Sequence, residues 1–204
     1  MIILPTDKNF RFDEDQHRYF YNNKEIMGVT SILKAGNLLD LSFVKTDLLK
    51  QACDFGTAVH KMTELCDLGT LDFNALDPIL RPYLDAWIRF KSESACIIEH
   101  IEAPVYSKRH NYMGTLDRVA NFGTKRSIVD IKSGLVYPSQ AIQLAGYLEA
   151  FNEDLPYKER AQDRMVVRLK EDGTYSLPKK EFFKTTDFGV FKACLTIAKW
   201  KRAS

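Results

Sequence analysis

Two carboxylates and one lysine stand close together in the sequence and could carry out metal-assisted chemistry. Asp130 and Lys132 lie in the segment IVDIKSG (128–134), and Asp117 ends the segment GTLD (114–117). Side chains alternate between the two faces of a β-strand, so Asp130 and Lys132 are predicted to project from the same face. A carboxylate and an ammonium group would therefore meet at one point of the surface.

Asp130 is predicted to be partly buried, because its neighbours on the strand are apolar. A buried carboxylate needs a partner, which Lys132 or Asp117 could provide. The turn-like residues 123–125 would pair the strand of Asp117 with that of Asp130 and bring the two carboxylates together. Such a pair repels unless a cation or a proton lies between its members, and oxygen ligands of this kind suit Mg²⁺ or Mn²⁺.

Four short patterns, two of them already described, follow one another along the chain. They are GTAVH (56–60), GTLD (114–117), DIK (130–132) and QLAGY (143–147). Their order and spacing resemble the RecB-like branch of the PD-(D/E)XK nuclease superfamily, whose pattern is GxxxH, GxxD, DxK and QxxxY. Each pattern is weak alone, but four in the family's order make a specific match.

The resemblance implies a metal site and a catalytic lysine. His60, Asp117, Asp130 and the backbone carbonyl of Ile131 would hold one or two Mg²⁺ ions, for which Mn²⁺ can substitute. Lys132 would orient or deprotonate the attacking water and offset the charge of the phosphate. Asp117, Asp130 and Lys132 are therefore the predicted catalytic residues.

Four further residues are assigned supporting roles. In the family, residues at the positions of Gln143 and Tyr147 lie beside the site, where they orient the lysine or contact DNA. Glu64 shares a helix face with His60 and could bind a metal through water. Glu102 falls on a predicted strand, where a structural role is as consistent with the sequence as a role in the site.

Hydrophobic periodicity predicts the order helix, three strands, helix, strand through the middle of the chain. The fold class is therefore α/β (α+β), and the resemblance implies a restriction-endonuclease-like αβββαβ core with a central mixed sheet flanked by helices. The predicted helices are 54–68, 78–94 and 138–151, and the predicted strands are 96–107, 112–122, 126–133 and 164–170.

The flanking segments are predicted to be additions to a single nuclease domain that spans residues 1–204, with its core at about 54–170. The extension 1–53 should contain a hairpin with strands 10–12 and 18–21 and a helix at 29–34, capped by Thr30 or Ser31. The extension 171–204 should contain an amphipathic helix at 187–202.

Composition indicates a soluble protein of the cytoplasm. Hydrophobic residues make up 45% of the 204 residues, which is enough for a core. No apolar run approaches the ~20 residues of a membrane span, and no secretion signal is apparent, so no membrane association is expected.

The net charge of +2 is too small to indicate nucleic-acid binding by itself, so contacts with DNA would come from local basic patches. For any one patch, an ordinary solvated surface is the simpler interpretation. The patches are Lys108 with Arg109, Lys125 with Arg126, Lys179 with Lys180, and residues 199–202.

The four cysteines are widely scattered and lack the close spacing of a metal site or a disulfide framework. The C-terminal cysteine group that holds an iron–sulfur cluster in several RecB-like relatives is missing, so no such cluster is expected. No P-loop pattern is present either, and no nucleotide cofactor is expected.

The leading hypothesis is a Mg²⁺-dependent DNA exonuclease of phage recombination or DNA processing that acts on the ends of linear DNA. The N-terminal segment VTSIL (29–33) resembles stand-alone phage exonucleases, which often work beside a single-strand annealing protein. Three alternatives stay open: a structure-specific or single-strand endonuclease, an inactive DNA-binding or assembly module, and an enzyme that acts on RNA. The sequence does not fix the oligomeric state.

Overall fold

The computed structural model describes residues 1–3, 7–14, 16–39 and 46–203. Within these ranges the chain forms eight strands and five α-helices. The strands are β1 (Phe10–Asp13), β2 (Arg18–Tyr21), β3 (Lys24–Gly28), β4 (Ile97–Ser107), β5 (Tyr112–Phe122), β6 (Lys125–Lys132), β7 (Asp163–Leu169) and β8 (Tyr175–Ser176). The helices are α1 (Val29–Ala35), α2 (Thr46–Asp67), α3 (Arg81–Ser94), α4 (Pro138–Asn152) and α5 (Asp187–Ala203).

The strands form one mixed sheet in the order β1-β2-β3-β5-β6-β7-β8, with β4 paired to β5. The β3–β5 and β6–β7 pairs are parallel, and the other pairs are antiparallel. Parallel pairs require long crossover connections, and α4 supplies the connection between β6 and β7. The fold is therefore mixed α/β, with an open sheet flanked by helices.

Helices cover both faces of the sheet and enclose two main apolar clusters. One cluster joins α1, α4 and α5 to the sheet through residues such as Leu144, Phe151 and Phe191. The other joins α2 and α3 to the opposite face through Val59 and Trp87. Strand β6 supplies residues to both clusters, so it is buried on both faces, as its apolar sequence predicts.

The predicted element order is confirmed. Each predicted helix and strand is present, with ends shifted by a few residues, and the N-terminal hairpin and the C-terminal helix also form. No helix in the described ranges combines the length and apolar character needed to cross a bilayer. Residues 4–6, 15 and 40–45 of the predicted N-terminal extension lie outside the described residues.

Two details of the predicted N-terminal half were wrong. Helix α2 begins at Thr46 rather than at residue 54. The sequence did not predict its first two turns because they are mostly exposed and carry no apolar stripe. Helix α1 has Gly28 as its N-cap and makes no side-chain cap bond, so neither Thr30 nor Ser31 caps it. Gly28 also ends β3, and a Cβ at this position would lie 3.1 Å from the ring of Tyr19.

Candidate metal and phosphodiester site

The GTLD segment lies at a gap along one edge of strand β5. Strand β4 pairs with the other edge along almost the whole of β5. Strand β3 pairs with β5 at residues 112–113, and β6 pairs with it at residues 118–122. Since β3 and β6 share the remaining edge, residues 114–117 lie between them without a ladder partner on this edge among the described strands. We call this gap the fork.

Asp117 spans the fork with its carboxylate. Its Oδ2 accepts a hydrogen bond of 2.7 Å from the backbone N–H of Ile131. The β5–β6 ladder ends at the pair Arg118 and Val129, so this side chain replaces the backbone partner that Ile131 would otherwise find on β5. The structure therefore brings the Asp117 side chain into contact with β6, the strand that carries Asp130 and Lys132, as the predicted hairpin requires.

His60, Glu102 and Asp117 form a group of three side chains that could hold a metal ion. They come from α2, β4 and β5, and one potential ligand atom from each lies within 4.8 Å of the other two. The His60 Nδ1 atom is 3.5 Å from Asp117 Oδ2 and 3.9 Å from Glu102 Oε1. The negative charge of Asp117 raises the pKa of His60, against the opposing effect of burial, and Glu102 adds to the rise. The imidazole is thus held in a negative environment that favours any cation.

Asp130 is buried and only half satisfied. Its Oδ1 accepts a hydrogen bond of 2.8 Å from Lys132 Nζ, whereas its Oδ2 has no donor among the described residues. Burial raises the pKa of Asp130 from 3.8 to about 6; Lys132 opposes this rise and Asp117 adds to it. A buried carboxylate oxygen without a donor is uncommon and calls for an explanation, such as an ion.

Lys132 is held as a cation. Burial alone would lower its pKa, but the charges of Asp130 and Asp117 outweigh that effect, so the pKa of Lys132 is raised above its ordinary value. Its Nζ also donates to the backbone carbonyl of Ile131 at 3.2 Å. This carbonyl, predicted to bind a metal, therefore accepts a hydrogen bond from the neighbouring ammonium group.

Gly114 and Tyr147 explain why two of the motifs occur together. A Cβ at Gly114 would lie 2.4 Å from the ring of Tyr147 and 3.2 Å from Val29, so only glycine lets β5 approach α4 this closely. Gln143 donates to the Tyr147 hydroxyl at 3.3 Å. Burial raises the pKa of Tyr147 well above its ordinary value, and the charges of Asp117 and Asp130 contribute to the rise. Tyr147 thus packs beside the site.

The structure distinguishes the two weaker predictions, Glu64 and Glu102. The carboxylate of Glu64 forms a 2.9 Å ion pair with Lys61 on the same helix. Glu102 lies in the three-residue group with His60 and Asp117 and has a φ of +44° inside strand β4. Backbone in this region is strained for a residue with a side chain, and such strain concentrates at functional sites. The sequence contains no sign of this conformation.

Arg118 is a site neighbour that sequence reasoning missed. It is fully buried and donates to Asp67 Oδ2 at 2.7 Å, to Glu102 Oε1 at 2.8 Å and to Thr63 Oγ1 at 3.2 Å. It also donates to the backbone carbonyl of Asp117 at 2.6 Å. Arg118 therefore fixes both Glu102 and the backbone of Asp117. The available signal was an arginine directly after Asp117 on a predicted strand.

A cavity of about 460 Å³ opens beside this group. His60 and Glu102 line it, and so do Phe10 and Phe12 of the N-terminal hairpin. Thr115, two residues before Asp117, also lines it. The cavity thus connects the predicted site to an element that sequence reasoning had treated only as an addition.

Three residues of the predicted basic patches lie beside acidic neighbours. Lys108 lies 3.6 Å from Asp154, Arg109 lies 4.0 Å from Glu149, and Arg126 forms a 2.8 Å pair with Glu99. Such exposed pairs fit the simpler interpretation of an ordinary solvated surface. The cysteines Cys53, Cys66, Cys96 and Cys194 carry free thiols, and only Cys53 among them is exposed.

The donor set fits a hard divalent cation. Carboxylate oxygens with one imidazole suit Mg²⁺ or Mn²⁺. Of the predicted ligands, His60 and Asp117 belong to this three-residue group, whereas Asp130 lies outside it and Glu102 belongs to it instead. No protein-family model and no curated protein sequence matches this chain. Its chemistry is therefore inferred from the geometry of the site and from the four motifs.

Proposed function

We propose that this chain is a Mg²⁺- or Mn²⁺-dependent nuclease that hydrolyses phosphodiester bonds, with DNA as its substrate. The observation that carries the proposal is the buried Asp130 carboxylate, whose Oδ2 lacks a donor among the described residues. Asp130 lies on β6, the strand whose Ile131 N–H donates to Asp117. His60 and Glu102 complete a set of ligands around Asp117.

The chain's own residues divide the work of hydrolysis. His60, Glu102, Asp117 and Asp130 would hold the ion, which when bound would neutralise phosphate charge and activate water. Lys132, held as a cation by Asp130 and Asp117, orients the attacking water and offsets negative charge on the phosphate. A raised pKa makes a lysine a poor general base, so positioning is the role that this environment supports.

We further propose that the substrate is the end of a linear DNA molecule and that the enzyme acts in phage recombination or DNA processing in the host cytoplasm, beside a single-strand annealing protein. The resemblance of the segment VTSIL (29–33) to stand-alone phage exonucleases supports this finer assignment.

Arg118 holds Glu102 and the backbone of Asp117, so it is a positioning residue.

The test is digestion of end-labelled linear duplex DNA beside covalently closed circular DNA, with Mg²⁺, Mn²⁺ or EDTA. We expect metal-dependent loss of the linear substrate alone, abolished in Lys132→Ala. A matched control is Lys192→Ala, which removes an exposed lysine on α5, the helix on the other face of the sheet from α2.

Each other outcome points elsewhere. Cutting of the closed circle would indicate an endonuclease with the same site, and preferential loss of an RNA substrate would shift the assignment to RNA. Binding of DNA without any metal-dependent cleavage would contradict the enzymatic proposal and indicate an inactive binding module.

A further inference from the structure

We propose that the N-terminal hairpin of β1 and β2 forms a stacking platform for one unpaired nucleobase of the substrate strand. This inference rests on the proposed nuclease function and deepens it, because it names the form in which the substrate enters the site. The platform consists of Phe10 and Phe12, which line the same cavity as His60 and Glu102.

The size of the cavity suits a single nucleotide. Its volume of about 460 Å³ falls within the ~300–1,000 Å³ that small-molecule sites occupy. A B-form duplex is much wider, since its major groove alone measures ~12 Å across. A strand must therefore leave the duplex before its nucleotide enters this space.

The aromatic face of the hairpin is fixed in place. Phe10 and Phe12 share one face of β1, and the Phe12 ring packs against Tyr19 at 4.8 Å and against His17 at 5.1 Å between centroids. The Tyr19 hydroxyl shares a 3.2 Å hydrogen bond with Thr115 Oγ1, two residues before Asp117 on β5. The platform is thereby tied to the strand that carries a candidate ligand.

The charges around the cavity decide which part of a nucleotide lies at which end. Glu14, Glu64 and Glu102 line it beside Lys61, which pairs with Glu64, so a bare phosphate would be repelled except where a bound cation compensates. A base is neutral and has two apolar faces, which match the phenylalanine rings. The phosphate therefore belongs at the His60 and Glu102 end and the base at the Phe10 and Phe12 end.

Stacking has a consequence for specificity. Every base presents a π face, so stacking on phenylalanine tolerates any sequence, and alanine substitution of such a ring typically costs ~1–3 kcal/mol per base. A nuclease that uses this platform would accept any terminal base and would depend on strand separation rather than on sequence.

The experiment crosses a protein change with a substrate change. Binding of a fluorescent single-stranded oligonucleotide with phosphorothioate linkages is measured by anisotropy, with Ca²⁺ in place of Mg²⁺ to suppress cleavage. The proteins are the wild type and Phe12→Leu, and an abasic nucleotide is placed in turn at each of the first four positions from either end. The matched control is Phe20→Leu, on the opposite face of the same hairpin, where Phe20 packs against Arg11.

We expect either change alone to weaken binding by about 5- to 100-fold at one abasic position, and the two together to weaken it no further. Phe20→Leu should behave like the wild type. Equal affinity of wild type and Phe12→Leu, or additive losses at every position, would overturn the platform.

A base-free substrate separates this inference from the nuclease proposal. Metal-dependent hydrolysis of bis(p-nitrophenyl) phosphate by the wild type tests the site, and the control Phe20→Leu should leave its rate within about twofold of the wild type. Hydrolysis of that diester without coupling between ring and base would overturn the platform and leave the nuclease proposal standing. Loss of diester hydrolysis in the wild type, together with absent oligonucleotide binding, would overturn both.

Discussion

Two buried aspartates in this molecule are treated in opposite ways. Asp67 receives hydrogen bonds from Trp87 Nε1 at 2.9 Å, Lys91 Nζ at 2.6 Å and Arg118 Nε at 2.7 Å, so both its oxygens are satisfied. Asp130 receives one bond from Lys132, and its Oδ2 meets no donor from the described residues. Both side chains are nearly inaccessible, at 1% and 4% exposure.

The difference indicates what each carboxylate is for. The fold can surround a buried aspartate with donors, and around Asp67 that network ties α2, α3 and β5 together. Around Asp130 it leaves Oδ2 without a donor among the described residues, at a cost in stability that we attribute to the proposed function. Asp67 is thus a structural carboxylate, whereas we propose that Asp130 is kept for a cation.

The largest expected effect comes from breaking the satisfied half of this comparison. Asp67→Ala leaves the fully buried Arg118 without its main counter-charge, so we expect a loss of about 3–5 kcal/mol in the free energy of unfolding. Urea denaturation monitored by circular dichroism measures it. The control, Asp85→Ala, removes an exposed partner of Arg81 and should cost less than about 1 kcal/mol. Equal losses in the two variants would contradict the structural role of Asp67.

Substitution of Asp130, the aspartate with an unsatisfied oxygen, should change the free energy of unfolding in the opposite direction. Asp130→Asn removes a charge that burial disfavours, so at pH 8 in EDTA we expect a gain of roughly 1–3 kcal/mol in the free energy of unfolding. The same variant should lose metal-dependent cleavage by about 100-fold or more. Destabilisation of Asp130→Asn under these conditions would show that its charge is structurally required.

The pH dependence of this gain sharpens the comparison. The pKa of Asp130 is about 6 in the folded protein, so between its ordinary 3.8 and 6 the folded state binds more protons than the unfolded state. The free energy of unfolding of the wild type therefore falls as pH rises through that window. Asp130→Asn lacks this titrating group, so its free energy of unfolding does not fall for this reason. The difference between the two should be near zero below pH ~4 and complete above pH ~6. A difference independent of pH between 4 and 7 would contradict it.

A smaller effect distinguishes the two glutamates of the cavity. Glu102→Gln removes a charge from the group with His60 and Asp117, so Mn²⁺ binding measured by calorimetry should weaken by about 10- to 100-fold. Glu64→Gln, whose side chain bonds Lys61, should change it by less than about threefold. Equal effects would place both carboxylates at the same distance from the ion.

The sequence predicted those parts of the site that follow from local periodicity. Alternation along β6 placed Asp130 beside Lys132. The short turn between β5 and β6 brought the Asp117 side chain of β5 into contact with β6. Motif spacing predicted His60, Gln143 and Tyr147. In the structure His60 lies beside Asp117, and Gln143 bonds Tyr147. What these residues do chemically stays a prediction until the experiments are made.

The remaining features depend on contacts between distant parts of the chain. Strand β3 pairs with β5 across a long separation in sequence, and that pairing creates the fork. Glu102 reaches the site through a positive φ in a strand, and Arg118 is identified only by its partners on other elements. The Phe12 platform likewise depends on where the hairpin packs. No local pattern encodes these contacts.

The most direct test of the central claim is calorimetric titration of Mn²⁺ into wild type, Asp130→Asn and the surface control Asp85→Asn at pH 8. We expect saturable binding by the wild type and the control, weakened by at least about tenfold in Asp130→Asn. Equal binding by wild type and Asp130→Asn, or no saturable binding by the wild type, would contradict the account of Asp130 as a carboxylate kept for a cation.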